Sequence, residues 1–588
     1  MSKKKNKSKG FKVVQYSREN LLDVLFYGSY SKREIQQSYL YEYLCNFLRY
    51  RNEFGHNVKT MVIEEKYLSE SYFKDFKNYF AESFNNYSKF TKRIHFFCNE
   101  IENNKRFEQL IVKNSSALTS DELEILESYI GYTVIKPISS AFLGATFLEP
   151  YPPTIDNPNI ERHYNSIKEQ KINLFGKELS LFGCAFQEQD KVVSACATAA
   201  LWSALYITNR IFGNSILSPS EITKSAGLSS SGNRTFPNKG LQNRQISKVL
   251  KKVGLVSELR YHTHGATIVE NQNLKRIIYA YNKMNIPILI GYSNNGEIQF
   301  NQSPETELVD ELSFSISSEV DDNEFELEQH HLVVVLGYKI NNKIENDSLL
   351  SEQDSNSDGI NLKADKIYKL YSHNDQIGPY VRVQLGEKQT NEIIAWEIGN
   401  KYQRANVTSV IVPLIDNIRV KFEDVLSSVQ EISDIANDAV HILNEVGLFK
   451  KDNIEWDVYL TKSNYYKEEI LTNSKLTQKM KSKIAFTSYP KYLWLAKCYF
   501  LDDNRTKLLD VIYDPSDSPT GFCCFQANFF NANFAYEFIE SMNETFNQSS
   551  NMKAIEGGLQ VLTENHKKFF EDAYNNNEDQ FLDELKKV

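Results

Sequence analysis

A side chain that attacks a carbonyl through sulfur needs a thiolate, a base that takes and returns its proton, and a polar group that holds the base in one tautomer. In 588 residues with seven cysteines and ten histidines, candidates for each part can be ranked. The segment "FQEQDKVVSACATAALWSALY", Phe186 to Tyr206, sets Cys196 between a polar approach and an Ala- and Leu-rich run. That is the pattern of a loop feeding a helix with the cysteine in its first turn, where backbone N–H groups favour a thiolate. "HHLVVVLGY" places His330 and His331 at the mouth of an apolar strand, and "YSHNDQIGPY" places Asn374 and Asp375 at the turn that follows the next hydrophobic run. Nucleophile, base and orienter thus occur in chain order. A lone cysteine in an Ala-rich helix usually only packs, so the conjunction of the three carries the reading. By the same rule Cys45, Cys98, Cys184 and Cys498 read as core residues, and Cys523 and Cys524 as neighbours of a strand.

Two other segments could bind ligands. In "DSNSDGINLKAD", Asp354, Asn356, Asp358, Gly359 and Asp365 occupy positions 1, 3, 5, 6 and 12 of a calcium loop. The segment ends in Asp instead of Glu and precedes a strand instead of a helix, so it reads as a solvated linker, and no metal or cofactor is expected. Residues 303–329 carry ten carboxylates and no Lys or Arg. They run up to the histidine strand, where a negative rim would favour basic peptide substrates.

Composition limits the function classes. The net charge is −9, and the one dense basic run is "KKKNKSKGFK" at the start, a solvated tail, so no nucleic-acid partner is expected. The stretch Ser194 to Asn209 is too short and too rich in Ser, Thr and Asn to span a bilayer. The start lacks the apolar core of a signal peptide, and the dispersed cysteines match neither a disulfide framework nor CxxC metal spacing. A cytoplasmic chain without membrane contact is expected, its oligomeric state open.

The elements that must position these residues follow from periodicity. Residues 1–10 form a basic tail. Residues 11–150 alternate helical and strand-like runs, read as an α/β domain, and the di-proline Pro152–Pro153 opens a linker over 151–182. Residues 183–415 read as helices followed by the strands "IPILIGYS", "HHLVVVLGYKI", "KIYKLYSHND", "YVRVQL" and "VTSVIVPL", an α+β arrangement. Residues 416–588 read as a second α+β domain, opened by the helix "FEDVLSSVQEISDIANDAVHILNEVG".

The middle domain resembles papain-like cysteine peptidases and is most similar to the bacterial double-glycine leader (bacteriocin-processing) peptidases. "CATAALWSAL" resembles the cysteine helix of that family, "IPILIGYS" the strand before the histidine, "HHLVVVLGY" its "H-x-V-x-V-x-G-Y" strand, and "SHNDQIGPY" its Asp-bearing turn. The resemblance implies a cysteine helix packed on an antiparallel sheet. It selects His331 over His330 as base and Asp375 as orienter, with Asn374 the alternative. It assigns the oxyanion-donating glutamine to Gln189, seven residues before Cys196, with Gln187 beside it. It implies a peptidase acting on a peptide or protein through a thioester. The same triad also serves deamidases and transamidases, and a domain that has lost its chemistry would bind peptides only.

Overall fold

The structure is a computed structural model that describes residues 10–27, 31–49, 57–83, 85–138, 141–152, 159–190, 193, 195–227, 240–261, 269–299, 330–342, 360–396, 401–449, 453–502, 505–518, 525–552, 570–572 and 574–575. The chain forms two compact units that do not follow the sequence boundaries. The first comprises Met1–Asn271, Asn285–Ile340 and Tyr368–Leu414, and the second Gln272–Met284, Asn341–Ile367 and Ile415–Val588. Both mix helix and sheet, as an α+β class requires.

The first unit contains β1 (Phe11–Gln15), β2 (Thr60–Tyr67), β3 (Thr91–Phe97), β4 (Tyr129–Ile135), β5 (Leu143–Leu148), β6 (Ile160–His163), β7 (Lys168–Leu174) and β8 (Lys177–Phe186). It continues with β9 (Val256–Tyr261), β10 (Ile288–Gln299), β11 (His330–Asn341), β12 (Ile367–Asn374), β13 (Gly378–Leu385), β14 (Glu392–Trp396) and β15 (Lys401–Leu414). Seven strands line up as β1-β2-β3-β4-β5-β8-β7, and every neighbouring pair is antiparallel. The alternation over 11–150 therefore does not build the parallel sheet that an α/β reading implies; the helices are insertions in an antiparallel meander. Nor is 151–182 a linker. It supplies β6, β7 and the start of β8, and β8 pairs with β5 through Thr146–Phe186, Phe147–Ala185 and Leu148–Cys184. This pairing joins the N-terminal residues and the cysteine region in one sheet.

The second sheet carries the histidine. Its order is β10-β11-β12-β13-β14-β15-β9, β6 pairs with β11, and β10 also pairs with β15, so β10 to β15 close into a ring. Closure removes both edges of the ring and explains why β10 and β11, "ILIGY" and "LVVVLGY", are apolar and buried on both faces. Gly337 of β11 marks the crossing of β6, since a Cβ there would sit 2.1 Å from the His163 carbonyl oxygen. The helix Cys196–Phe212 packs against β8 and β10. Its small residues Ala197, Ala199, Ala200 and Ala204 are buried, allowing close approach, and Gly213 in the left-handed region ends it.

In the second unit β16 (Ile454–Lys462), β17 (Tyr492–Phe500), β18 (Thr506–Tyr513) and β19 (Gln526–Phe529) form an antiparallel meander. One face packs on the helices Ser463–Thr472 and Gln478–Phe486 through Tyr466, Ile470, Met480 and Ile484. From the other face Trp456 donates to Ser433 Oγ of the helix Phe422–Glu445 at 3.0 Å. Residues 272–284, within the 183–415 span, cluster here: Tyr279 donates to Asp457 at 2.7 Å and the Tyr281 ring lies edge-on to Trp494.

Candidate functional site

Cys196 is the first residue of its helix, Ala195 is the N-cap without a side-chain cap, and the cysteine is partly exposed. Backbone N–H groups in the first turn of a helix lack intrahelical acceptors and can donate to an anion formed beside the sulfur. The approach to the helix is fixed by polar contacts. Val193 N–H donates to Asp190 Oδ1 at 2.7 Å, Thr223 donates to the Val193 carbonyl at 2.7 Å, and Glu188 accepts from Leu143 N–H at 2.8 Å. Burial raises the Glu188 carboxyl to about 7, against the pull of Lys136 and of backbone donors.

His331 is the second residue of β11 and is buried. Its Nε2 lies 3.2 Å from Asn374 Oδ1 and 3.3 Å from Asp375 Oδ1. Both oxygens accept, so Nε2 carries the proton; Cys196 is close enough to act on the charge of the imidazole. With Nε2 committed, Nδ1 is the nitrogen left for the thiol. The structure thus brings Cys196, His331, Asn374 and Asp375 together, with both orienter candidates on the same ring nitrogen. The amide of Asn374 is oriented by its other partners: Oδ1 accepts from Gln376 N–H at 3.0 Å, and Nδ2 donates to the Tyr292 hydroxyl at 2.9 Å. Asp375 Oδ2 is buried with no hydrogen-bond partner among the described residues.

Burial by itself would push the imidazole of His331 down, but the Asp375 carboxylate at Nε2 and the neighbouring Cys196 side chain hold it well above its ordinary range. Tyr292 is the direct cross-strand partner of His331, and its ring meets the imidazole edge-on at 5.3 Å. Burial, with added repulsion from Asp375 and Cys196, pushes its phenol up to about 12 despite His331 and the Asn374 hydrogen bond, so it stays protonated. The arrangement is a thiol, an imidazole and two acceptors, closed on one side by a neutral aromatic ring.

Gln189 lies half-buried on the segment between β8 and the helix, and the adjacent Gln187 is buried. Among the described residues no hydrogen bond links Gln189 to Cys196 or His331. His330 precedes His331 on β11 and pairs with Ser293. The acidic stretch 303–329 lies outside the described residues, as do Asp354, Asn356, Asp358 and Gly359 of the calcium-loop motif. Its last member, Asp365, is engaged by Arg276 through two 2.8 Å bonds. Among the described residues no group of three or more His, Cys, Asp or Glu side chains is placed to share a metal, and no helix is long and apolar enough to cross a membrane. Cys45, Cys98, Cys184 and Cys498 are buried, whereas Cys523 and Cys524 lie outside the described residues.

Three residues that sequence reasoning passed over belong to the site or its support: Tyr292, His373 and Tyr380. Tyr292 was within reach, because it ends the apolar run before the histidine strand and a hairpin register sets it opposite His331. No protein-family model, curated protein or solved structure matches the chain.

Proposed function

We propose that the chain is a cysteine peptidase, a thiol hydrolase of papain-like arrangement that cleaves a peptide or protein substrate. The observation that carries this reading is the setting of His331, with Asn374 and Asp375 on Nε2 and Cys196, the first residue of its helix, close enough to act on the charge of the imidazole. His331 Nδ1 takes the thiol proton and the thiolate attacks the scissile carbonyl carbon, whose oxygen becomes an oxyanion facing the first turn of the helix, with Gln189 the proposed side-chain donor. Collapse breaks the C–N bond as His331 returns the proton to the leaving amine, and a thioester remains on Cys196. Water, deprotonated by His331, then adds to the thioester, and departure of the thiolate releases the acid. Asp375 and Asn374 keep the imidazole in its Nε2–H form and stabilise the imidazolium. The chemistry requires a reduced Cys196, which fits a cytoplasmic setting. A preference for basic peptides rests on the carboxylates of 303–329. Cleavage of a peptide library by the full chain, lost on Cys196→Ala, is the expected outcome; cleavage that survives this change would refute the reading.

A further inference from the structure

The turn that carries Asn374 and Asp375 does not hold itself. In the β12–β13 ladder Ser372 faces Val381 and Asn374 faces Gly378, so the register slips and Pro379 and Tyr380 bulge opposite His373. Tyr380 sits at φ +56°, in the left-handed region that a bulky residue occupies only when its surroundings impose it. Those surroundings converge on one residue of β8, Cys184. The Tyr380 N–H donates to His373 Nδ1 at 3.1 Å, and His373 Nε2–H donates to the Cys184 carbonyl at 3.2 Å. The Tyr380 hydroxyl accepts from Cys184 N–H at 2.9 Å and donates to the Leu148 carbonyl at 3.1 Å. The two rings meet edge-on at 4.7 Å, and Tyr43 caps the bulge by donating to the Pro379 carbonyl at 2.9 Å.

We infer that His373 and Tyr380 are positioning residues that fasten the Asn374–Asp375 turn to β8, the strand whose far end leads into the cysteine helix, and so set the distance between orienter and nucleophile. The inference rests on the proposed thiol chemistry. His373 suits this role because Nδ1 must accept and Nε2 must donate, so only the neutral Nε2–H tautomer satisfies both contacts; burial pushes its pKa down to about 3, which keeps that form. The staple acts on Cys196 only through His331, since it moves the oxygens that face His331 Nε2.

The test measures the rate of Cys196 alkylation by iodoacetamide at pH 7 in the full chain, read by peptide mapping, in wild type, His373→Asn, Tyr380→Phe and His331→Ala, and in His331→Ala combined with His373→Asn. Displacing an aligned group by about 1 Å costs on the order of 10²-fold, so His373→Asn and Tyr380→Phe should each slow alkylation at least tenfold while the chain still unfolds cooperatively. In the His331→Ala background, His373→Asn should add nothing, because its route to the sulfur is gone. If Tyr380→Phe does not fold, His373→Asn decides. A wild-type rate well above His331→Ala together with unchanged rates in the staple variants overturns this inference alone. A wild-type rate equal to that of His331→Ala overturns the thiol chemistry and this inference with it.

Discussion

His331 is where the physical forces of the site meet. Burial opposes its charge, the Asp375 carboxylate favours it, and the balance lies on the charged side. The proton should therefore be lost only as the pH rises well past the 6.5 of a free imidazole, placing the alkaline limb of peptide cleavage above that value. Asp375→Asn removes a carboxylate from Nε2 while keeping an oxygen there. It should lower kcat/KM by about 10²-fold or more, within the usual reach of a general base, and move the alkaline limb to lower pH. A pH–rate profile of the two proteins checks both effects; an unmoved limb would show that Asp375 does not act through the imidazole. Cys196, His331, Asn374 and Asp375 were legible in the sequence because their types are scarce or their settings distinctive: a helix start, a strand mouth, a turn. Tyr380 was not, because a tyrosine beside an apolar strand looks the same wherever it points, and its partners are fixed by a bulge in the β12–β13 ladder.

At the scale of elements, five of the six strands of the ring, β10 to β13 and β15, were readable as apolar runs, and the helix from Cys196 as an Ala-rich segment. The short strands β9 and β14 and the helix Asn271–Asn282 went unread, having no strong period, and the pairing of β8 with β5 is a contact that local pattern does not encode. Burial in these sheets has a measurable consequence at His373. Its folded pKa is pushed down to about 3, while an unfolded histidine titrates near 6.5. Below 6.5 the unfolded chain takes up a proton that the folded chain refuses, so this group costs stability as the pH falls and has no effect above that point. His95, pushed down by burial to about 4, acts in the same direction, whereas Asp75 and Glu188, raised by burial to about 7, act in the opposite one. Comparison with His373→Asn cancels these shared contributions. The variant should be less stable than wild type at pH 7.5, and the gap in urea midpoint should narrow as the pH is lowered to 5. A gap that stays constant would contradict a buried neutral His373.

At the scale of the whole molecule, the second unit is assembled from three stretches of chain, which a domain division at 415 does not anticipate. Lys366 pairs with Glu455, Tyr279 with Asp457, and Tyr281 with Trp494, all within that unit. A chain ending at 415 would keep residues 272–284 and 360–367 but lose the sheet they pack on, exposing apolar side chains such as Tyr281 and Leu362 that are buried in the full protein. It should bind a hydrophobic dye and aggregate; a monodisperse, cooperatively folded product would contradict this assignment of the segments. The full chain is accordingly the form in which the central claim, an activated thiol at Cys196, has to be tested. Cys45, Cys98, Cys184 and Cys498 are buried, so labelling of Cys196 over these four is expected from exposure alone, and the deciding quantity is the dependence of its alkylation rate on His331. At pH 7 the intact chain should react at least tenfold faster than His331→Ala, as expected when an imidazole supports a thiolate. Equal rates in the two proteins would contradict it.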